Sequence, residues 1–204
     1  MTTAERNPDG GGYPVLVMAA GASRRMGRPK ALLRYGGGNL LDRALELAAV
    51  LGGPVTVVAG GHYPLVRFRT RRQPVRWLLA ENWQQGLSAS LQAGLASLGP
   101  GVRGCFVLLA DQPALWEADL RLLGQHARAA PWHAVAADHA GRPGVPAYLP
   151  RRLWPAIMAL DGDRGAAPVL ARAGAERIEI RGASRDIDTP EDWQALLRDS
   201  GKHP

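Results

Sequence analysis
Apolar and polar positions in this chain are arranged in blocks rather than alternating residue by residue. Apolar runs bounded by glycine, proline or charged residues recur at PVLVMAA (14–20), PVTVVAG (54–60), VRWLLA (75–80), RGCFVLLA (103–110), WHAVAA (132–137) and AERIEI (175–180). Most lack the period-two pattern of a strand with one wet face, so they predict strands covered on both faces. Between them, apolar residues return at helical spacing in NLLDRALELAAVLG (39–52), GLSASLQAGLASLG (86–99), ALWEADLRLLGQHARA (114–129), PRRLWPAIMALD (150–161), GAAPVLARAG (165–174) and TPEDWQALLRD (189–199). Strand and helix taking turns predict a three-layer α/β domain with a mainly parallel sheet. With no internal repeat, low-complexity linker or shift in composition, the reading is one domain over 13–199, a disordered tail over 1–12 and a short C-terminal tail over 200–204.

Composition narrows the function classes. The 204 residues, 46% of them apolar, are enough for one core. The net charge of +7 is almost all arginine, Lys30 and Lys202 being the only lysines. No aromatic-interleaved groove or zinc pattern accompanies the basic run RFRTRR (67–72), which reads as a solvated face and argues against a nucleic-acid partner. A basic surface would still draw in a polyanionic small molecule. Cys105, the sole cysteine, excludes an internal disulfide and a multi-cysteine metal site, and its apolar run marks it as a buried, inert thiol. No 18-residue apolar stretch is present and the N-terminus MTTAERNPDGGG has no apolar signal region, so the expectation is a cytoplasmic protein without a membrane partner.

In parallel sheets ligands collect beyond the carboxyl ends of the strands. Three such ends carry conspicuous polar groups. In AAGASRRMGRPK (19–30), Gly21 and Gly27 permit positive φ and close backbone approach, Arg24, Arg25 and Lys30 supply charge, and Ser23 a hydroxyl. The stretch is neither G-x-G-x-x-G nor a Walker A, and its length before the next helical pattern near Asn39 suits a loop laid over a triphosphate; the plain alternative is a surface loop with chance basic residues. In LLADQP (108–113), Asp111 sits directly after a buried strand, where a carboxylate is suited to Mg²⁺ or simply begins a turn. In AENWQQGLSASLQAG (80–94), Asn82, Gly86, Ser88 and Ser90 offer uncharged groups to a base or ribose, although helix capping explains much of the same pattern.

Three further segments complete the picture. In RDIDTPEDW (185–193), Thr189 as N-cap and Pro190 at N1 make a helix start, which leaves Asp186 and Asp188 unexplained; Asp188 is the choice for a second metal-binding carboxylate. GRPGVPAYLP (141–150) is a glycine-proline hairpin or loop followed by a strand, a place to admit a second substrate. In DGDRGAAPVL (161–170), Asp161, Asp163 and Arg164 cap a helix or line the same cleft. No histidines pair at metal-ligand spacing and no G-x-S-x-G elbow occurs, which weighs against a hydrolase.

MAAGASRRMGRPKALL (18–33) resembles the L-A-A-G-x-S-x-R-M-G-x-x-K signature of the MobA-like nucleotidyltransferases. ENWQQGLSASLQAGL, LLADQP, DGDRGAAPVL and DIDTPED resemble, in the same order, later blocks of the molybdenum cofactor cytidylyltransferase branch. The resemblance implies a Rossmann-like α/β/α domain of the nucleotide-diphospho-sugar transferase type, which moves a nucleotidyl group from an NTP, with Mg²⁺, to a phosphorylated pterin-type acceptor and releases pyrophosphate. It implies that Ala19, Ala20, Gly21, Ala22 and Ser23 lie against the nucleotide, that Arg25 and Lys30 hold its triphosphate, and that Asn82, Gly86 and Ser88 sit near base or sugar. It further implies that Asp111 and Asp188 hold the metal, with Lys30, Arg25 and Asp111 carrying the chemistry. The second alanine of the A-A-G turn leans toward CTP over GTP. Gly144, Val145, Pro146 and Asp163 are the acceptor-side candidates. Two departures stand out: Met18 replaces the usual leucine, and Val145 stands where the branch usually has histidine, which makes the acceptor's identity an open question. A molybdoenzyme or maturation factor is an implied partner. The competing readings are an NAD(P)H-dependent oxidoreductase of a quinonoid or pigment compound, disfavoured because no acidic residue ends PVTVVAG, and a non-catalytic nucleotide-binding partner.

Overall fold
The computed structural model describes residues 12–200, so nearly all of the expected tail over 1–12 and all but the first residue of the one over 200–204 lie outside the described residues. The chain runs through β1 (Val15–Ala19), a short antiparallel hairpin of β2 (Arg34–Tyr35) and β3 (Gly38–Asn39), α1 (Leu40–Ala49), β4 (Val55–Ala59), α2 (Leu65–Arg69) and β5 (Arg76–Leu79). It continues with α3 (Leu87–Ala96), β6 (Gly104–Leu109), α4 (Glu117–Ala129), β7 (Val135–His139), β8 (Arg142–Pro150), α5 (Trp154–Met158), α6 (Ala167–Arg172), β9 (Glu176–Ile178) and α7 (Pro190–Ser200).

Seven strands form the central sheet in the order β5-β4-β1-β6-β8-β7-β9. All pairings are parallel except those of β8, which runs antiparallel to both β6 and β7. In the middle of the sheet Val17 pairs with Val57 on one side and Leu108 on the other, and all three are buried. Successive residues of one strand feed opposite faces: Val15 and Val17 pack with α1, α2 and α4, while Leu16 and Met18 pack with α3, α5 and α6. Burial on both faces explains why the central strands read as continuous apolar runs. The expected three-layer α/β domain with a mainly parallel sheet is therefore the observed one.

Two features of this topology position the site. The chain leaves β1 toward β4 and β5 and then returns to place β6 on the other side of β1, so the strand order reverses between β1 and β6. Their carboxyl ends, at Ala19 and Leu109, open a crevice of the kind that receives ligands. A third apolar cluster, of Met26, Leu33, Leu40, Ile187, Trp193 and Leu196, then ties the segment after β1 to α7. That packing brings Asp188 beside Lys30 although 158 residues separate them.

The structure departs from the sequence reading in three places. The segment expected to run as one long loop from Ala19 to Asn39 contains two short 3-10 turns, Arg24–Met26 and Lys30–Leu32, and the β2–β3 hairpin. Helix α2 starts before the basic run over 67–72 and ends inside it, and the 150–161 helix shrinks to α5 because a 3-10 turn occupies Arg151–Leu153. Two-residue strands and one-turn helices are too short to display a period, which is why the pattern did not reveal them.

Candidate active site
The segment after β1 is fixed at both ends. Ser23 takes a left-handed conformation (φ 54°), accepts the Lys30 N–H on its hydroxyl at 3.0 Å, and offers its carbonyl to the Met26 N–H. Met26 is 7% exposed within the third apolar cluster, anchoring the turn while the preceding Arg24 and Arg25 stay exposed. Positive φ falls on Ser23 and Gly27 and not on Gly21, so of the two glycines that permit it here Gly27 alone uses it. Gly21 instead has open space where a side chain would stand.

Lys30 is the hub. Its ammonium donates to Asp111 Oδ2 at 2.6 Å and to Asp188 Oδ1 at 2.8 Å, and Arg25 Nη2 donates to Asp188 Oδ2 at 2.9 Å. Asp111 lies in the turn that follows β6, and its carbonyl receives the Ile187 N–H at 2.9 Å, which sets the neighbouring Asp188 opposite it. Asp188 is oriented in turn by the start of α7, where Asp192 Oδ2 accepts the backbone N–H groups of Asp188 and Thr189 and the Thr189 hydroxyl. The Lys30 hydrogen bond holds the Asp188 carboxyl below the usual carboxylate range. Burial alone would lower the Lys30 pKa, but its pairing with Asp111 and Asp188 outweighs burial and the net direction is upward. Asp111 Oδ1 is buried and accepts no hydrogen bond.

This donor set fits a divalent cation of oxygen preference. Two carboxylates converge on one point, a single monovalent ammonium spans them, and one buried carboxylate oxygen lacks any protein donor. Asp111 and Asp188 are the residues that would hold such an ion.

A cleft of about 560 Å³ opens from this cluster over the carboxyl end of β1. Ala19, Ala20, Gly21, Ala22, Ser23, Arg25, Lys30, Gly86 and Asp111 line it, together with Asp163, which the sequence reading had set on the acceptor side. Asn82 is exposed and is not among the lining residues. Ser88 is 2% exposed and also stands behind the wall, its hydroxyl donating to the Gly162 carbonyl at 2.8 Å; Ser90, two residues on, lines the cleft instead. A second cavity of about 480 Å³ adjoins the cleft over Met18, Leu87 and Leu109, and Gly144 and Val145 line it, whereas Pro146 is buried behind.

Sequence reasoning missed His62 and Trp83, both of which line the cleft. His62 Nε2 lies 2.8 Å from the Ala22 carbonyl and braces the segment after β1. Its signal was present: it follows β4, and the rule about strand carboxyl ends applies there as well. Trp83 rests against Gly60 and Gly61, where an added Cβ would meet the indole within 3.0 Å.

Residues 15–178 match the MobA-like NTP transferase domain. The chain is 32% identical over 194 residues to the nicotine blue oxidoreductase of Paenarthrobacter nicotinovorans, covering 89% of this chain and 95% of that protein. It is 32% identical over 200 residues to a probable molybdenum cofactor guanylyltransferase of Synechococcus elongatus, covering 90% and 97%. Among solved structures, Rv0371c of Mycobacterium tuberculosis H37Rv superposes with a TM-score of 0.81 at 28% identity over 92% of this chain and 97% of that one. A second crystal structure of that protein is a manganese complex, with a TM-score of 0.77 at 26% identity over 92% and 98%. The reversal of strand order between β1 and β6, the segment after β1 and the domain match lead to one conclusion: the chain belongs to the MobA-like NTP transferase family.

Proposed function
We propose that this protein transfers a cytidylyl group from CTP to the phosphate of a pterin-type acceptor in molybdenum cofactor maturation, with Mg²⁺, releasing pyrophosphate. The observation that carries this reading is the convergence of Lys30 on both Asp111 and Asp188 at the end of a cleft large enough for a nucleotide. A divalent cation held by Asp111 and Asp188 supplies charge neutralisation to the reacting phosphates. Arg25 and Lys30, both lining the cleft, bind and orient the triphosphate. An acceptor phosphate oxygen attacks the α-phosphorus; the bond from that phosphorus to the bridging oxygen breaks, and pyrophosphate leaves with the electron pair. Because the attacking oxygen is already an anion, no side chain needs to remove a proton.

CTP as donor rests on Ala20 in the A-A-G turn. A panel of four NTPs with Mg²⁺, read by thermal shift and by pyrophosphate release with and without a molybdopterin-type acceptor, tests it. Selective stabilisation by CTP, with release only when acceptor is present, is expected; selective stabilisation by GTP would move the assignment to guanylyl transfer, and binding of no NTP would overturn the reading. The relative named nicotine blue oxidoreductase favours a second reading, reduction of a pigment-like compound. Against it, β4 ends in Ala59 and Gly60 without the acidic residue that grips a ribose in dinucleotide sites. Hydride transfer from NADPH with no response to NTP would favour it.

A further inference from the structure
A third cavity, of about 450 Å³, lies behind the turn that carries Lys30. Lys30 and Ala31 line the cleft described above, whereas Leu32, the last residue of that turn, lines this cavity, so one short segment separates the two. Three arginines from separate stretches of chain line it: Arg34 on β2, Arg69 at the end of α2 and Arg71 just beyond. The carboxylate among its lining residues is Asp42, which leaves the cavity a net charge of +2. Asp42 is 4% exposed and committed to the main chain: its Oδ1 accepts the Arg71 and Arg72 N–H groups, both at 2.8 Å, and its Oδ2 the Asn39 N–H at 3.0 Å. Neighbouring arginines outside the cavity are neutralised, Arg43 by Glu46 and Glu117 and Arg72 by Glu46. Among the described residues the Arg34 and Arg69 guanidiniums have no hydrogen-bond or carboxylate partner, while Arg71 Nη1 donates to the Gly37 carbonyl at 2.6 Å.

Unpaired guanidiniums gathered in one recess repel one another and are relieved by an oxyanion, whose oxygens match their planar fork of donors. Arg71 is placed in advance by Gly37 and by its own N–H on Asp42, so little of its freedom is lost on binding. Gly37 has open space where a side chain would stand, which keeps the β2–β3 turn from closing the cavity. A phosphate monoester carries about two negative charges at neutral pH and so balances the cavity, where a monocarboxylate would leave it cationic. A bare phosphate would leave much of the volume empty, and Leu32 and Leu65 supply apolar surface beside the arginines. We infer that this cavity is a binding site for a phosphate monoester, held by Arg34, Arg69 and Arg71 with its organic part against Leu32 and Leu65, and separate from the cleft of Lys30 and Asp111. The basic run over 67–72 is then divided in its work: Arg67 donates to the Tyr63 hydroxyl and Arg72 to Glu46, while Arg69 and Arg71 face the ligand.

The test is an amide ¹H–¹⁵N correlation titration of the full chain with phenyl phosphate, inorganic phosphate and benzoate, at constant ionic strength and without divalent cation. The Gly36 and Gly37 signals report on this cavity and the Gly21 signal on the cleft. Phenyl phosphate is expected to move Gly36 and Gly37 saturably, inorganic phosphate to do so with lower affinity, and benzoate with the lowest. R34A and R69A replace exposed side chains outside the core, and the dispersion of each spectrum shows that the variant is folded. Each is expected to weaken phenyl phosphate binding about tenfold, the loss of one charge-assisted contact, and to leave the Gly21 response as in the wild type. R69K, which keeps the charge without the fork, is expected to recover part of the loss. Shifts at Gly36 and Gly37 that grow without saturating, that benzoate produces equally, or that persist undiminished in both alanine variants would each overturn the inference. A response confined to Gly21 would also overturn it, by returning all phosphate binding to the cleft.

Discussion

Replacing Lys30 with methionine shortens the side chain by one atom, keeps it unbranched and removes the charge that two carboxylates share. The wild-type side chains of Lys30, Asp111 and Asp188 are 18%, 20% and 37% exposed. The cost should therefore fall between that of losing a surface ion pair, roughly 0.5 kcal/mol, and that of breaking a buried one, about 3–5 kcal/mol. A loss of about 2 kcal/mol is expected, which for a chain of this size lowers Tm by roughly 4–8 °C. The pH dependence follows from the shifted groups. Asp188 is held below its ordinary pKa, so its contribution is present above about pH 4 and fades as pH falls through the lowered value; Lys30 is raised, so its contribution persists until pH rises past its raised value. The gap between wild type and K30M should thus be widest across neutral pH. Mn²⁺ without nucleotide should stabilise K30M more than wild type, because the cation then enters the two carboxylates without displacing an ammonium. Calorimetric scans at pH 7, with and without millimolar Mn²⁺, measure both effects. Equal Tm values for the two proteins, or equal gains with Mn²⁺, would refute the placement of Lys30 as the cation that spans Asp111 and Asp188.

Other consequences can be checked independently. Gly86 has φ +110°, and a Cβ there would stand 2.4 Å from the Gly162 carbonyl oxygen, so G86A should lose about 2–3 kcal/mol in urea unfolding; an unchanged midpoint would show that the junction between α3 and the 162 turn is not rigid. Burial pushes the Cys105 thiol up, so a thiol reagent at pH 8 should label it only on unfolding, and rapid native labelling would contradict its placement in the core. The Arg181 hydrogen bonds hold Asp119 below its ordinary pKa; D119N should be less stable than wild type at pH 7, with the difference shrinking as pH falls below about 4 through the lowered value. A difference that persists unchanged at low pH would assign it to packing rather than to the ion pair.

The layers of the fold were legible because strands buried on both faces read as unbroken apolar runs and the intervening helices kept their period. The antiparallel course of β8 was not, since direction in a sheet is set by connection length and packing and leaves no mark on a run such as PAYLP. In the site, Lys30, Arg25 and Asp111 were legible from their position after strand ends. Their meeting with Asp188 was not derivable from spacing: it depends on Met26, Leu33, Ile187 and Trp193 packing together across the whole chain. Ser88 shows the opposite case. It has the right residue type at a helix start, yet the helix turns its hydroxyl toward Gly162, and only the three-dimensional phase of α3 decides that Ser90 lines the cleft.

Transfer of a nucleotidyl group is tested most directly by following the α-phosphate. With [α-³²P]CTP, Mg²⁺ and a molybdopterin-type acceptor, label should pass into the acceptor in step with release of unlabelled pyrophosphate, and D111A, still folded by circular dichroism, should lose that transfer. Label that stays in CTP or free cytidine nucleotide under these conditions, or undiminished transfer by D111A, would contradict it.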